Sequence, residues 1–172
     1  CFLVCPQLNV PASLYVSEPR MLKAYLARTT IQEVMKVAQD GGVTSTLAIY
    51  SLREGLIDAA ILAGRGDEWR PRPMLARSFE DVVSCAGSKY LYAVNLLEML
   101  RAVVNDPLYR SLMVVGVPCM ARALWKMRWL GLRRWADKVR YVVGLFCTHN
   151  FRIYYWFVII FWILWLHPNI HN

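Results

Sequence analysis

Acidic residues are scarce where basic ones gather: from Arg110 to Arg152 nine lysines and arginines stand against one acid, Asp137. So one-sided a stretch suits an anionic partner, whether nucleic acid, lipid, an acidic protein or a phosphorylated cofactor. Zinc-finger spacing, a recognition-helix pattern and aromatic strand platforms are all missing, which excludes the common nucleic-acid modules. The stretch is therefore read as a solvated basic helix face. Long apolar runs are missing too. The longest uncharged one, "IYYWFVIIFWILWL" at 153–166, has 14 residues against the ~20 that a bilayer requires. No charged-then-apolar leader follows Cys1, so no signal peptide is expected. Five cysteines without a leader argue against a disulfide framework and for a reducing, cytoplasmic setting.

What is present fits one domain: 172 residues, 57% hydrophobic, with the apolar excess concentrated at the end. "AQDGGVTSTLAIYSLREG" at 38–55 places Gly41 and Gly42 between an acidic residue and a helical pattern. Either it is a turn into a capped helix, or it lets a phosphate approach the backbone at a helix start. A short helix is expected over 31–38 and another over 44–53, with Thr44 or Ser45 as N-cap. "IDAAILAG" at 57–64 reads as a strand, and "DEWRPRPM" at 67–74 as a loop because its prolines deny backbone donors. A further helix is expected over 91–104, ended by Asn105-Asp106-Pro107.

The sequence then echoes itself. "VVGVPC" at 114–119 and "VVGLFC" at 142–147 share Val-Val-Gly-apolar-x-Cys. Both resemble strands buried on two faces, and the stretch between them is helical in composition, with Leu124, Met127 and Leu130 available to the core. Strand, helix, strand at this spacing is a βαβ unit with parallel strands. Cys119 and Cys147 would then share the carboxyl edge of the sheet, where ligands of open α/β folds bind. They are either small buried hydrophobes or a thiol pair for redox or metal chemistry. Two thiolates are half of what an iron–sulfur cluster needs. "CFLVCP", with Cys1 and Cys5, is the closing part of a ferredoxin-type cysteine run, read as the remnant of a separate, flexible segment at 1–15.

With these pieces assembled, residues 31–151 resemble the beta subunits of coenzyme F420-dependent hydrogenases and dehydrogenases. The resemblance rests on "AQDGGVTSTL", "EGLIDAAILAG", "WRPRPMLA", "CAGSKY", "VVGVPCMARAL" and "ADKVRYVVGLFCTHNF", in that order. It implies an α/β flavoprotein with a mostly parallel sheet, carrying FAD and one [4Fe–4S] cluster. Hydride would pass between the flavin and coenzyme F420, and single electrons to an iron–sulfur partner or a hydrogenase or dehydrogenase subunit. Residue by residue, Gln39, Asp40, Gly41, Gly42, Val43, Thr44 and Ser45 match the family's flavin-binding loop. Gly87, Ser88, Lys89 and Tyr90 match a second loop, and Pro118 joins the cofactor-binding set. Lys89 would hold an anionic part of flavin or deazaflavin, with a catalytic role, or be a solvated lysine. Cys119 and Cys147 match cluster ligands, with Cys1 and Cys5 as further metal candidates, while Cys85 is read as packing.

The family's remaining ligands form a Cys-x2-Cys nearer the C-terminus, and none follows Cys147. After Phe151 the pattern is expected to give way to a divergent aromatic tail at 152–172, with the C-terminal part of the family fold missing from a 16–151 flavin domain. The reading is a piece of an F420-linked oxidoreductase subunit. Its rivals are a ferredoxin-dependent flavin reductase and a non-catalytic subunit held to a membrane by the tail and the basic stretch.

Overall fold

Every residue of "LMVVG" at 112–116 is buried, and alternate side chains enter two different cores. That is the signature of a strand covered on both faces. The computed structural model describes residues 3–5, 8, 21–66, 70–89 and 97–147. Within them one sheet holds β1 (Ala59–Arg65), β2 (Pro71–Ala76), β3 (Leu112–Gly116) and β4 (Val139–Gly144), in the order β2-β1-β3-β4. The pairs β1/β3 and β3/β4 are parallel, and β2 runs antiparallel along one edge.

Helices cover both faces. On one lie α1 (Gln32–Val37), α2 (Val43–Arg53) and α3 (Phe79–Ser84), whose Val34, Ala48, Ile49 and Val82 pack with Ala60, Leu62, Met113 and Val115. On the other lie α4 (Leu97–Val103), α5 (Pro118–Trp129) and α6 (Arg133–Ala136), which bury Leu100, Leu124 and Ala136 against Ile61, Leu112, Val114 and Val139. Each large aliphatic side chain so buried contributes about 1.5–3 kcal/mol, and these two layers are what hold the sheet.

The internal echo is an in-register pairing. Val114, Val115 and Gly116 pair with Val142, Val143 and Gly144. An irregularity lets Arg140 drop out of register, so that Leu112 faces Val139 while Met113 faces Tyr141. Without that extra residue the following side chains would exchange cores.

Four expectations need correction. Pro71 and Pro73 lie in a strand, not a loop; β2 is an edge strand, where a missing N–H can face away from the ladder. α3 was not expected, although Ser78 and Asp81 write its capping box: the Asp81 N–H donates to Ser78 Oγ at 3.1 Å and the Ser78 N–H to Asp81 Oδ2 at 3.1 Å. Leu130 remains 37% exposed at the end of α5. The basic stretch is also not simply a solvated face. Lys138 Nζ donates to the carbonyls of Val103 and Asp106 at 2.9 and 2.8 Å, which closes the end of α4. Arg128 donates to the Val139 carbonyl at 2.6 Å, Arg134 donates to Asn105, and Lys126 is buried.

Candidate functional site

Chain direction brings the motifs to one edge. α2 leads through Leu56 and Ile57 into the start of β1, and the Leu56 carbonyl accepts from Ser111 Oγ beside the start of β3. The opposite end of α2, with Gly41 and Gly42, therefore lies towards the carboxyl ends of the parallel strands. α3 follows β2 back to the same edge: Cys85 Sγ lies 3.8 Å from Met74 Sδ, and Met74 fills the space above Gly64 near the end of β1. The segments after β3 and β4, carrying Pro118, Cys119 and Cys147, leave from that edge as well.

The first loop is fixed by Thr46 of the motif itself and by Thr29, which sequence reading passed over. The Thr29 N–H donates to the Gly41 carbonyl at 2.7 Å. Thr46 Oγ1 lies 2.6 Å from Thr29 Oγ1 and donates to the Gly42 carbonyl at 3.0 Å. Thr29 is 5% exposed, and a buried threonine in an otherwise exposed stretch at 21–30 could be known only from the fold. Both glycines are dictated by the chain itself. Gly42 has φ +67°, and a Cβ there would stand 2.8 Å from Thr29 Cγ2 and 2.9 Å from Val34 Cγ1. A Cβ on Gly41 would stand 2.9 Å from the Ala27 carbonyl oxygen.

Gly42 is also the N-cap of α2, in place of Thr44 or Ser45, and no side chain caps this helix start. The first-turn N–H groups of Val43, Thr44 and Ser45 consequently lack the partners that a capping oxygen would give. Gln39 and Asp40 form the bend before the glycines.

The second loop closes on its own lysine. Lys89 Nζ donates to the carbonyls of Ala86 at 3.0 Å, Gly87 at 2.8 Å and Cys85. Burial pushes the Lys89 ammonium below the ordinary lysine value; Cys85 opposes this and Arg65, at the end of β1, adds to it. Gly87, at φ +84°, abuts α1, since a Cβ there would lie 3.1 Å from the Val37 carbonyl oxygen. Val37 stands two residues before Gln39, so the two loops meet through the end of α1. Ser88 is exposed, and Tyr90 lies outside the described residues. Cys85 is 7% exposed in the α1–α3 core and its thiol is pushed up by burial, which bears out the packing role.

Comparison with known proteins then decides the lineage. Residues 24–101 match the model of the coenzyme F420 hydrogenase/dehydrogenase beta subunit N-terminus, and residues 109–160 that of its C terminus. The chain belongs to this beta subunit family. It is 39% identical over 128 residues to the coenzyme F420 hydrogenase subunit beta of Methanothermobacter thermautotrophicus, covering 73% of this chain and 45% of the relative. It is 33% identical over 167 residues to the coenzyme F420-dependent sulfite reductase of Methanocaldococcus jannaschii, covering 88% of this chain and 25% of that protein. Its fold matches a chain of the F420-reducing [NiFe] hydrogenase complex from Methanosarcina barkeri with a TM-score of 0.72 and 34% identity, over 79% of this chain and 49% of the other. The chain thus spans less than half the length of these proteins. The match to the C-terminal family model extends to residue 160, nine residues past Phe151, where the sequence reading had expected the family pattern to end.

The two cofactors that the sequence resemblance implies, FAD and a four-iron cluster, fare differently against the residues present. A dinucleotide's diphosphate fits the uncapped start of α2. For a four-iron cluster the described donors do not suffice. Cys119, in the first turn of α5, and Cys147 are both exposed, each three residues beyond the paired Gly116 and Gly144. Among the described residues no group of three potential metal ligands occurs. Cys1 lies outside the described residues, as does all of 148–172. Cys5, expected in a flexible remnant, is instead tied down: Lys126 Nζ of α5 donates to its carbonyl at 3.0 Å and also to that of Leu8. Among the described residues no helix is long and apolar enough to cross a membrane.

Proposed function

We propose that the chain is the flavin-carrying part of an F420-linked oxidoreductase subunit. The observation that carries this reading is the gathering of the 39–45 loop and the 86–89 loop at the carboxyl edge of the parallel strands, in a chain of this family. The chemistry a flavin such as FAD supplies when bound is hydride exchange with F420 and release of electrons singly. What the protein contributes is placement. The N–H groups of Val43, Thr44 and Ser45, at the positive end of α2, are suited to a diphosphate. The Thr29–Thr46 pair keeps that turn from shifting, and Gly87 and Ser88 line the neighbouring loop. Pro118 begins α5 beside the site with its φ already set for a helix.

Onward electron transfer is the part this chain's described donors do not complete, so no step is assigned to a cluster. Cys119 and Cys147 supply two thiols at the right edge, and further ligands must come from residues beyond those described, from a longer chain or from a partner subunit. A second reading, a reductase acting on another substrate, draws on the alignment with the F420-dependent sulfite reductase, which takes in more of this chain than that with the hydrogenase subunit.

The test is direct. The chain purified without added cofactor and then titrated with FAD should take up one flavin, seen as a shifted and quenched flavin spectrum. With flavin bound it should oxidise reduced F420, followed by return of the deazaflavin absorbance. Failure to bind FAD at micromolar concentrations would overturn the reading.

A further inference from the structure

We infer that Lys89 is a positioning residue, whose ammonium gathers the carbonyls of Cys85, Ala86 and Gly87 and so holds the 85–89 loop against the end of α1. The inference rests on the functional reading above, because the two elements it fixes relative to one another are the loops proposed to hold the flavin.

An ammonium has three donors, and all three are engaged by successive carbonyls of one loop. Those carbonyls need them. α3 ends at Ser84 with Cys85 as its C-cap, so the Cys85 carbonyl has no intrahelical partner, and those of Ala86 and Gly87 lie beyond the helix. Cys85 and Ala86 are 7% and 4% exposed, so water is a poor substitute there. With Lys89 in place, the chain turns through Gly87 in the left-handed region and lands on the Val37 carbonyl. The next link is short. Ala38 caps α1 by donating to the Val34 carbonyl at 2.8 Å, and both Val34 and Ala38 form the wall against which Gly42 is packed. A shift of the 85–89 loop therefore reaches the start of α2 through one layer of close contacts.

A role as direct ligand of an anion is the competing account. It requires Lys89 to give up at least one of these carbonyls, leaving a buried acceptor unpaired. The two accounts differ in what arginine can do. Arginine keeps the charge for an anion, but its planar fork cannot place three donors on three carbonyls that converge on a single point.

The experiment compares amide hydrogen exchange in the flavin-free chain with Lys89→Met and Lys89→Arg, taking the amides of β3 as internal reference. Both variants should exchange about tenfold faster than the parent at 85–89 and also at 37–42, with β3 unchanged. Titrated with FAD, both should bind more weakly than the parent, Lys89→Arg nearly as weakly as Lys89→Met. Parent-like exchange at 37–42 in Lys89→Met would overturn the proposal, as would parent-like FAD affinity in Lys89→Arg. Should β3 exchange rise in Lys89→Met, the same comparison is read on Lys89→Arg. A parent chain that takes up no FAD would overturn the functional reading, while the exchange comparison would still decide this one.

Discussion

Replacing Gly42 by alanine separates what the fold demands of this glycine from what a ligand would demand. The new Cβ meets two costs. Holding an L-residue at φ +67° costs about 1–2 kcal/mol. The Cβ would also stand 2.8 Å from Thr29 Cγ2, 2.9 Å from Val34 Cγ1 and 3.3 Å from Ala38 Cβ. Neither of the nearest two side chains can yield easily. Both are β-branched and buried, and the Thr29 hydroxyl is held by Thr46. Overpacking of this kind costs about 1–3 kcal/mol. Together the loss is about 2–5 kcal/mol, a large part of the ~5–15 kcal/mol that stabilises a domain. Gly55 supplies the control, since its φ is +63° and nothing lies within 4 Å of a Cβ there. Gly55→Ala should cost only the conformational part, about 1–2 kcal/mol. Urea unfolding of the parent and both variants, with equal slopes, measures the difference directly. Equal losses at the two positions would refute the packing argument and return Gly42 to the role of a bare turn glycine. The corollary is that a valine at Gly42 is no clean probe of flavin binding, because the helix start would be disturbed first.

A cleaner probe is Ser45→Asp, which should leave stability unchanged or raise it by about 0.3–1 kcal/mol through the helix dipole while weakening FAD binding by repelling the diphosphate; a variant with parent-like FAD affinity in titration would remove the α2 start from the site. Ser78→Ala should cost about 1 kcal/mol by opening the capping box of α3, read as a lowered urea midpoint. The Arg77 N–H, at 2.8 Å, is the main reason the Asp81 carboxyl lies below the ordinary aspartate value, and the Ser78 N–H adds to it. This depressed value means that the stabilisation is complete above the ordinary aspartate range and is lost as pH falls through the lowered folded value. Asp81→Asn should therefore flatten the acid limb of the urea-midpoint profile slightly, and an unchanged limb would show that the carboxylate is not engaged. Lys126→Ala should release the Cys5 and Leu8 carbonyls, raising hydrogen exchange and proteolysis at residues 3–8 while β3 keeps its protection.

Periodicity and repetition made much of the scaffold legible in advance. The continuous apolar runs and their Val-Val-Gly echo specified two parallel neighbours, and the echo pairs residue for residue. This is possible because strand pattern is local and a buried strand tolerates few residue types. The order of motifs named the family, since six separate pieces in sequence are hard to match by chance. What the sequence could not assign was the use of polar and basic residues whose partners are distant. Lys126 reads as one more cation in a basic stretch, yet it is buried on carbonyls more than a hundred residues away in the chain. Lys89 reads as a loop lysine, yet its charge closes a helix end. Gly42 reads as room for a phosphate, but the space beside its Cα belongs to Thr29 and Val34. The physical reason is common to all three. A hydrogen-bonding group or a missing Cβ acquires its meaning only from the atoms that folding places within about 3 Å, and those atoms are set by topology rather than by neighbouring residues.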